Sequence, residues 1–261
     1  MYMVFFLAVS PILWLIISLG FLKMQSYKAC PAALLIAFAV ALFSYDMPGS
    51  AAATAALEGI ALACWPILLV IIAAIFTYNL AIHTKSMDII KHMLTTVSKD
   101  RRVLVLLIGW GFGAFMEGMA GFGTAIAIPA SMLVALGFNP IRAILVCLIA
   151  NSVPTTYGSI GIPASTLANL TGLNPLLLAK YISLQLLPLN ILCPFLMVIV
   201  TGGSIKALKG VFMLTLLSGL GLAIPELIIA SFIGPELAVM AASVIIMGII
   251  ILYSKIFSLT S

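Results

Sequence analysis

Nine apolar runs follow one another along this chain, separated by short polar joints, and they leave it few places to fold other than a lipid bilayer. A spanning helix needs about 20 apolar residues, with roughly 17 to 25 as the working range. The runs are Tyr2–Leu22, Cys30–Tyr45, Ala51–Leu80, Val103–Met119, Thr124–Phe138, Ile141–Val153, Leu176–Val200, Val211–Ile224 and Leu237–Tyr253. Only 7% of the 261 residues are charged and 64% are hydrophobic. A water-soluble core has no way to bury that much apolar surface behind so little polar surface. The expected fold is therefore an all-α membrane protein, a polytopic helical bundle in a single transmembrane domain over 1–261, with lipid as its solvent.

The charges orient the runs. Lys23, Lys28, the segment His83–Arg102, Arg142, Lys206, Lys209 and Lys255 mark one side, and Asp46, Glu226 and Glu236 mark the other. Basic residues collect on the cytoplasmic side. The pattern predicts about nine crossings with the N-terminus outside and the C-terminus inside; Lys180 is the exception, placed to snorkel. The net charge of +5 is thus a topology signal, and no basic stripe with interleaved aromatics points to nucleic acid. Ser86–Ser98 has Met87, Ile90, Met93, Leu94 and Val97 at helical spacing and reads as an amphipathic helix on the cytoplasmic surface, within 83–102. His83 and His92 lie nearby, but no carboxylate or cysteine completes a ligand set. Cys30, Cys64, Cys147 and Cys193 form no C-x-x-C pair and read as small buried hydrophobes.

A short internal repeat interrupts this regularity. Residues 123–140 read GTAIAIPASMLVALGFNP and residues 158–175 read GSIGIPASTLANLTGLNP. Ile-Pro-Ala-Ser recurs, as does Gly-x-Asn-Pro, with an offset that changes by one residue. Each Asn-Pro predicts a helix start, Asn139 or Asn174 capping and Pro140 or Pro175 in the first turn. A duplicated structural unit explains this; chance reuse of small residues is the competing account.

Chemistry concentrates in two stretches. Gly109–Thr124 reads GWGFGAFMEGMAGFGT, and its glycines permit close backbone approach and a break in the helix. Backbone groups freed inside lipid need protein or a water-filled cavity to satisfy them, and secondary transporters build substrate sites from such broken helices. Glu117 stands in the middle of the cluster. An ionisable group at that depth is costly and by default functional. Two roles fit it: a carboxyl that binds and releases a proton, or a permanently neutral one bonded to a broken helix end. Ala150–Ser165, reading ANSVPTTYGSIGIPAS, adds Asn151, Ser152, Thr155, Thr156, Ser159 and Ser165 as uncharged donors, with Pro154, Gly158, Gly161 and Pro163 against a continuous helix. The repeat starts, with Thr124 and Ser159, are a candidate anion cradle built on helix N-termini; helix packing by small residues is the alternative. The candidate substrate-binding set is Gly118, Gly121, Phe122, Gly123, Thr124, Asn151, Thr155, Gly158, Ser159 and Gly161, with Glu117 as proton site. Glu226 and Glu236 each follow a proline and read as helix starts. Val103–Phe138 either crosses twice or forms a re-entrant hairpin. No H-E-x-x-H, G-x-S-x-G or P-loop is present, so neither catalysis nor a cofactor is expected, and a gradient must drive any active transport.

These residues carry a resemblance. Glu117-Gly-Met-Ala-Gly-Phe-Gly123 resembles the E-G-A-A-G-F-G signature of the bacterial L-lactate permeases. Gly113-Ala114-Phe115, Leu136-Gly137-Phe138, Asn151-x-x-Pro154, Gly161-Ile162-Pro163 and Phe232-Ile233-Gly234-Pro235-Glu236-Leu237 fit in the same order. The resemblance implies a proton-coupled symporter for lactate, glycolate and other 2-hydroxymonocarboxylates in a bacterial cytoplasmic (inner) membrane, with Glu117 in the family's acidic position. It implies as partners the organic anion, a proton and membrane lipid. Family members are about twice as long, so the chain resembles their N-terminal half, and a second half-chain or a homo-oligomer joins the expected partners. The basic residue expected ahead of Leu187-Pro188 is absent, since positions 184–186 are Leu, Gln and Leu.

Overall fold

The computed structural model describes residues 2–86, 89, 93, 97–121 and 123–257, and these form helices and turns with no strand among them. Most of the predicted amphipathic segment, His92 included, and Phe122 lie outside the described residues. The chain divides into two compact units, Met1–Leu69 and Val70–Ser261.

In the first unit, α1 (Tyr2–Leu15) runs on into a wider π-helical stretch, Ile16–Phe21. It packs on α2 (Ser26–Ser44), where the Trp14 indole donates to the Ala29 carbonyl at 3.2 Å. The third helix, α3 (Gly49–Leu62), ends in a wide turn that leaves helical geometry at Trp65 (φ −145°, ψ 112°). Trp65 precedes Pro66, whose ring disfavours helical backbone in the residue before it. The apolar run Ala51–Leu80 is therefore two helices, α3 and α4 (Leu68–His83), and not one tilted rod.

The second unit is organised around α5, Arg101–Met119. Its middle winds as a π-helix over Val105–Phe112, and every residue of that stretch is buried. The Trp110 indole donates to the Ser218 carbonyl at 3.0 Å, giving its polar edge a partner inside the core. Around α5 lie α6 (Thr124–Ala135), α7 (Pro140–Asn151), α8 (Gly158–Thr171), α9 (Pro175–Gly202), α10 (Phe212–Phe232) and α11 (Pro235–Ile256). Helices α5 and α11 run antiparallel: Gly111 meets Met247 and Gly118 meets the Met240 backbone. Small residues at such contacts let helices approach where no hydrophobic effect drives them together. The outward faces are apolar, with Leu170, Leu192, Leu252 and Phe232 exposed.

Among the described residues, five helices are long and apolar enough to cross a membrane: α2, α5, α9, α10 and α11. Helices α7 and α8, joined by a short 3-10 turn at Pro154–Tyr157 and bent by 55°, make a sixth if counted as one broken span. The molecule is a multi-pass helical membrane protein. Helices α5 and α6 form a hairpin whose ends meet, for the Arg101 guanidinium lies 3.5 Å from the Gly137 carbonyl and over the Phe138 ring. At about 1.5 Å per residue, the 12 residues of α6 cover roughly 18 Å.

The repeat is a structural unit. Each copy is a helix that ends at a glycine with positive φ, Gly137 (82°) or Gly172 (68°), two residues before a capping asparagine. Asn139 accepts from the Ile141 and Arg142 amides, and Asn174 accepts from those of Leu176 and Leu177. Pro140 and Pro175 open the helices that follow, as the Asn-Pro pattern predicts.

Basic residues gather at one end. Arg102 pairs with Asp100 at 2.6 Å and donates to the Ala207 and Lys209 carbonyls at 2.7 and 2.9 Å, tying the α9–α10 loop to the start of α5. Arg101, Arg142 and Thr201 line one cavity of about 80 Å³ at the same end.

Two readings are corrected. Pro225-Glu226 does not start a helix; both residues lie inside α10, and Glu226 is buried, not in an outer loop. Breaking a helix in lipid frees backbone groups that no water satisfies. Cys147 and Cys193 are buried, but Cys30 and Cys64 are exposed, because an apolar side chain in a bilayer need not point inward.

Candidate functional site

The site lies wholly in the second unit, where two interruptions of helical structure meet. The first follows α5. The helix ends at Met119, Gly121 and Gly123 have φ of 58° and 86°, and a helix begins again at Thr124. The Thr124 hydroxyl donates to the Gly121 carbonyl at 2.7 Å and closes the turn. The second interruption joins α7 to α8. There Ser159 (φ 48°), Ile160 (φ 59°) and Gly161 (φ 73°) take left-handed backbone in succession. For two of these residues that conformation carries a steric cost, and such geometry persists only where its surroundings fix it.

The surroundings are the first interruption and the start of α11. The Ser159 hydroxyl donates to the Ala120 carbonyl at 2.9 Å. A side chain at Gly121 would overlap the Ser159 hydroxyl, and one at Gly158 would overlap the Glu117 carboxyl. A Cβ at Gly161 would lie 2.7 Å from the Pro235 carbonyl carbon and 2.8 Å from the Glu236 nitrogen. Each close approach is made by a residue without a side chain.

Glu117 is 3% exposed, in the last turns of α5. Its Oε2 has no hydrogen-bond partner among the described residues. The Asn151 amide, at the end of α7, lies beside the carboxyl without a hydrogen bond to it. Asn151 itself donates through Nδ2 to the Thr155 hydroxyl at 3.0 Å, and its Oδ1 is likewise buried without a partner. The ion pair formed among the described residues, Asp100–Arg102, lies at the far end of α5. A buried carboxyl with an unmatched acceptor oxygen is suited to holding a proton.

Glu117, Gly121, Asn151, Thr155, Gly158 and Ser159 thus converge, with Gly161 next to them against the start of α11, while Gly118 packs on the Met240 backbone of α11. Gly123 opens instead onto an apolar groove along α6 lined by Ile126, Ala127, Ala130, Ser131 and Val134. Both hydroxyls of the expected cradle, Thr124 and Ser159, engage backbone carbonyls. The N-termini of α6 and α8 face the break with the partial positive charge of their helix dipoles.

Further residues border the site. The Tyr157 hydroxyl, fully buried, sits 2.6 Å from the Ala179 carbonyl and 2.7 Å from the Ser183 hydroxyl of α9. Ser165 donates to Glu236 at 3.3 Å, fastening α8 to the start of α11. Tyr157 lies within the stretch read as broken; Ser183 leaves little trace in its apolar run.

The family model of L-lactate permease matches residues 4–260. Among curated relatives, the L-lactate permease of Streptococcus iniae is 45% identical over 95% of this chain and 52% of its own length. The L-lactate permease of Bacillus subtilis is 35% identical over 95% of this chain and 44% of its own. The glycolate permease GlcA of Escherichia coli is 34% identical, again over 95% and 44%. The chain spans about half the length of these relatives. No solved structure matches it. With its glycine-rich break, buried glutamate and paired half-helices, the chain belongs to the L-lactate permease family.

Proposed function

We propose that this chain forms the binding core of a proton-coupled symporter for lactate or related 2-hydroxymonocarboxylates, glycolate among them. The observation that supports it most is Glu117, buried with an unmatched oxygen where two helix breaks meet. A carboxylate there is poorly solvated, and a second anion beside it repels it. An entering carboxylate therefore favours the protonated form of Glu117, and a bound proton favours the entering carboxylate. That reciprocity is coupling between two ligands of one site. Gly121, Gly158 and Gly161 keep side chains out of the junction, while Asn151, Thr155 and the starts of α6 and α8 offer donors and dipoles to the anion.

Relatives named as lactate and glycolate permeases support this substrate class, and family membership indicates transport and not catalysis. The basic end of the second unit supports an orientation with that end, and the C-terminus, in the cytoplasm of a bacterium. Because relatives are about twice as long, a second half-chain or a further copy of this chain completes the path in our reading.

The test is uptake of labelled L-lactate into proteoliposomes, with and without an inside-alkaline gradient. Gradient-driven accumulation abolished by a protonophore is the expected result. Accumulation only after a second half is co-reconstituted assigns the path to two chains. Absence of uptake under both arrangements and every gradient overturns the proposal.

A further inference from the structure

A second buried carboxyl lies outside the site just described. Glu226, in the C-terminal half of α10, is 1% exposed. The Asn190 amide of α9, also 1% exposed, donates through Nδ2 at 3.4 Å to each of its oxygens. The Tyr157 hydroxyl bonds to the Ala179 carbonyl and the Ser183 hydroxyl of α9, the helix that carries Asn190. The next residue, Gly158, packs against Glu117. Successive residues of one helix break thus reach Glu117 and the helix whose Asn190 holds Glu226. The two stand at similar depth: counted from the basic ends of α5 and α10, at about 1.5 Å per residue, they lie roughly 24 and 21 Å in.

The unmatched atoms point the same way. Four buried side-chain polar atoms lack a partner among the described residues: Glu117 Oε2, Asn151 Oδ1, Asn190 Oδ1 and Ser254 Oγ. Three of the four belong to the two Glu–Asn pairs. Carboxylate and amide oxygens only accept hydrogen bonds. A protonated carboxyl donates its O–H to the amide oxygen while the amide N–H donates back; an ionised one keeps only the second bond. Glu226, to which Asn190 already donates, matches a carboxylic acid and as a carboxylate is one hydrogen short; beside Glu117 the Asn151 Nδ2 donates to Thr155 instead, and the unmatched Glu117 Oε2 and Asn151 Oδ1 are acceptors that likewise lack a hydrogen. Buried unmatched acceptors are costly, so a proton has a defined place at both.

We propose that Glu226 and Asn190 form a second intramembrane proton-binding site, so that the protein holds two Glu–Asn proton sites flanking the Tyr157–Gly158 turn. Its role in coupling rests on the transport reading above; its proton chemistry does not. Tyr157 is the titratable group of the break, bonded to α9, and α9 brings Asn190. The charged residues of the helices packed against it lie toward their ends: Lys180 in the second turn of α9, Glu236 and Lys255 at the two ends of α11, Arg101 and Arg102 at the start of α5. The other carboxyl of α5 is Glu117.

Infrared difference spectroscopy on the chain in lipid, titrated with pH, tests this directly. The wild type is expected to show two carboxylic-acid carbonyl bands from buried groups that fade as pH rises. Glu117→Gln should retain one titrating band and Glu226→Gln the other, while Asn190→Leu moves the midpoint of the Glu226 band alone. Glu117→Gln without any titrating buried band overturns the proposal, and that arm does not depend on Glu226→Gln folding. So does a Glu226 band that stays constant over the whole range in which the fold holds, the behaviour of a permanently neutral helix fastener. Raised sodium chloride in place of choline chloride should leave the midpoint unmoved; a shift would reassign the pair to a metal cation. Loss of the Glu117 band alone bears on the proposed function and leaves Glu226 standing.

Discussion

The two helix breaks lead into the same unit, a half-helix followed by a positive-φ glycine and an asparagine cap, yet they are built differently. Among the described residues, the break after α5 has positive φ at glycines alone, Gly121 and Gly123, and carries the carboxyl just upstream. The break before α8 puts Ser159 and Ile160 in left-handed backbone and reaches a glycine only at the third position. Gly121 and Gly123 take their left-handed backbone without a side-chain clash of their own, whereas Ser159 and Ile160 bear strain for which the Ser159–Ala120 bond is the visible return. The lesson is that the first break supplies the ionisable group and the second supplies the clamp that holds the junction closed. Backbone strain at a site of this kind is maintained by its neighbours.

The largest expected effect comes from separating the clamp from what holds it. Gly161→Ala places a methyl 2.7 Å from the Pro235 backbone and cannot relax without moving α11. We expect a loss of about 3 kcal/mol or more, read as a lowered unfolding temperature in detergent, together with loss of uptake. A variant of wild-type stability would show that α8 and α11 do not meet as described. Gly123→Ala meets nothing within 4 Å and carries only its positive φ, so a cost of about 1–2 kcal/mol is expected. Equal costs at the two glycines would erase the distinction between the breaks.

A control lies outside both breaks. Asp100 caps α5 through the Arg102 amide at 2.8 Å. Burial pushes its carboxyl up, but the hydrogen bonds and charge of Arg102 outweigh this and hold it below the usual carboxylate range. A lowered carboxylate stabilises the fold at neutral pH, and that stability is lost as pH falls below about 4. Asp100→Ala should cost about 1 kcal/mol at pH 7, and the gap from wild type should close in acid. A gap independent of pH would contradict the pairing. The smallest effect is expected at Ile160, which is 52% exposed. Ile160→Gly removes one strained residue while burying nothing less, and a gain of about 0.5 kcal/mol is expected from thermal unfolding. Destabilisation would mean that the left-handed turn is not strained.

Local chemistry carried much of this architecture in the sequence. The Asn-Pro caps at 139–140 and 174–175 and the glycine-rich break around Glu117 are written in residues whose backbone preferences act over a few positions. Glu226 was not legible, because Pro-Glu signals a helix start in water while lipid penalises the break that such a start requires. Nor was the clamp: nothing in Ser159-Ile160 marks them as left-handed, and only the facing Ala120 carbonyl and Pro235 explain the shape they take. Glu117 stood out for its charge in an apolar run, but its pairing with Asn151 joins positions 34 residues apart that only the fold brings together.

The central claim is that the carboxyl at this junction binds the proton that travels with the anion. The direct measurement is the change in external pH when lactate is added to lightly buffered proteoliposomes, for wild type and Glu117→Gln side by side. We predict external alkalinisation with lactate for the wild type, and none for Glu117→Gln even where lactate exchange continues. Proton movement of wild-type size in Glu117→Gln would contradict the account.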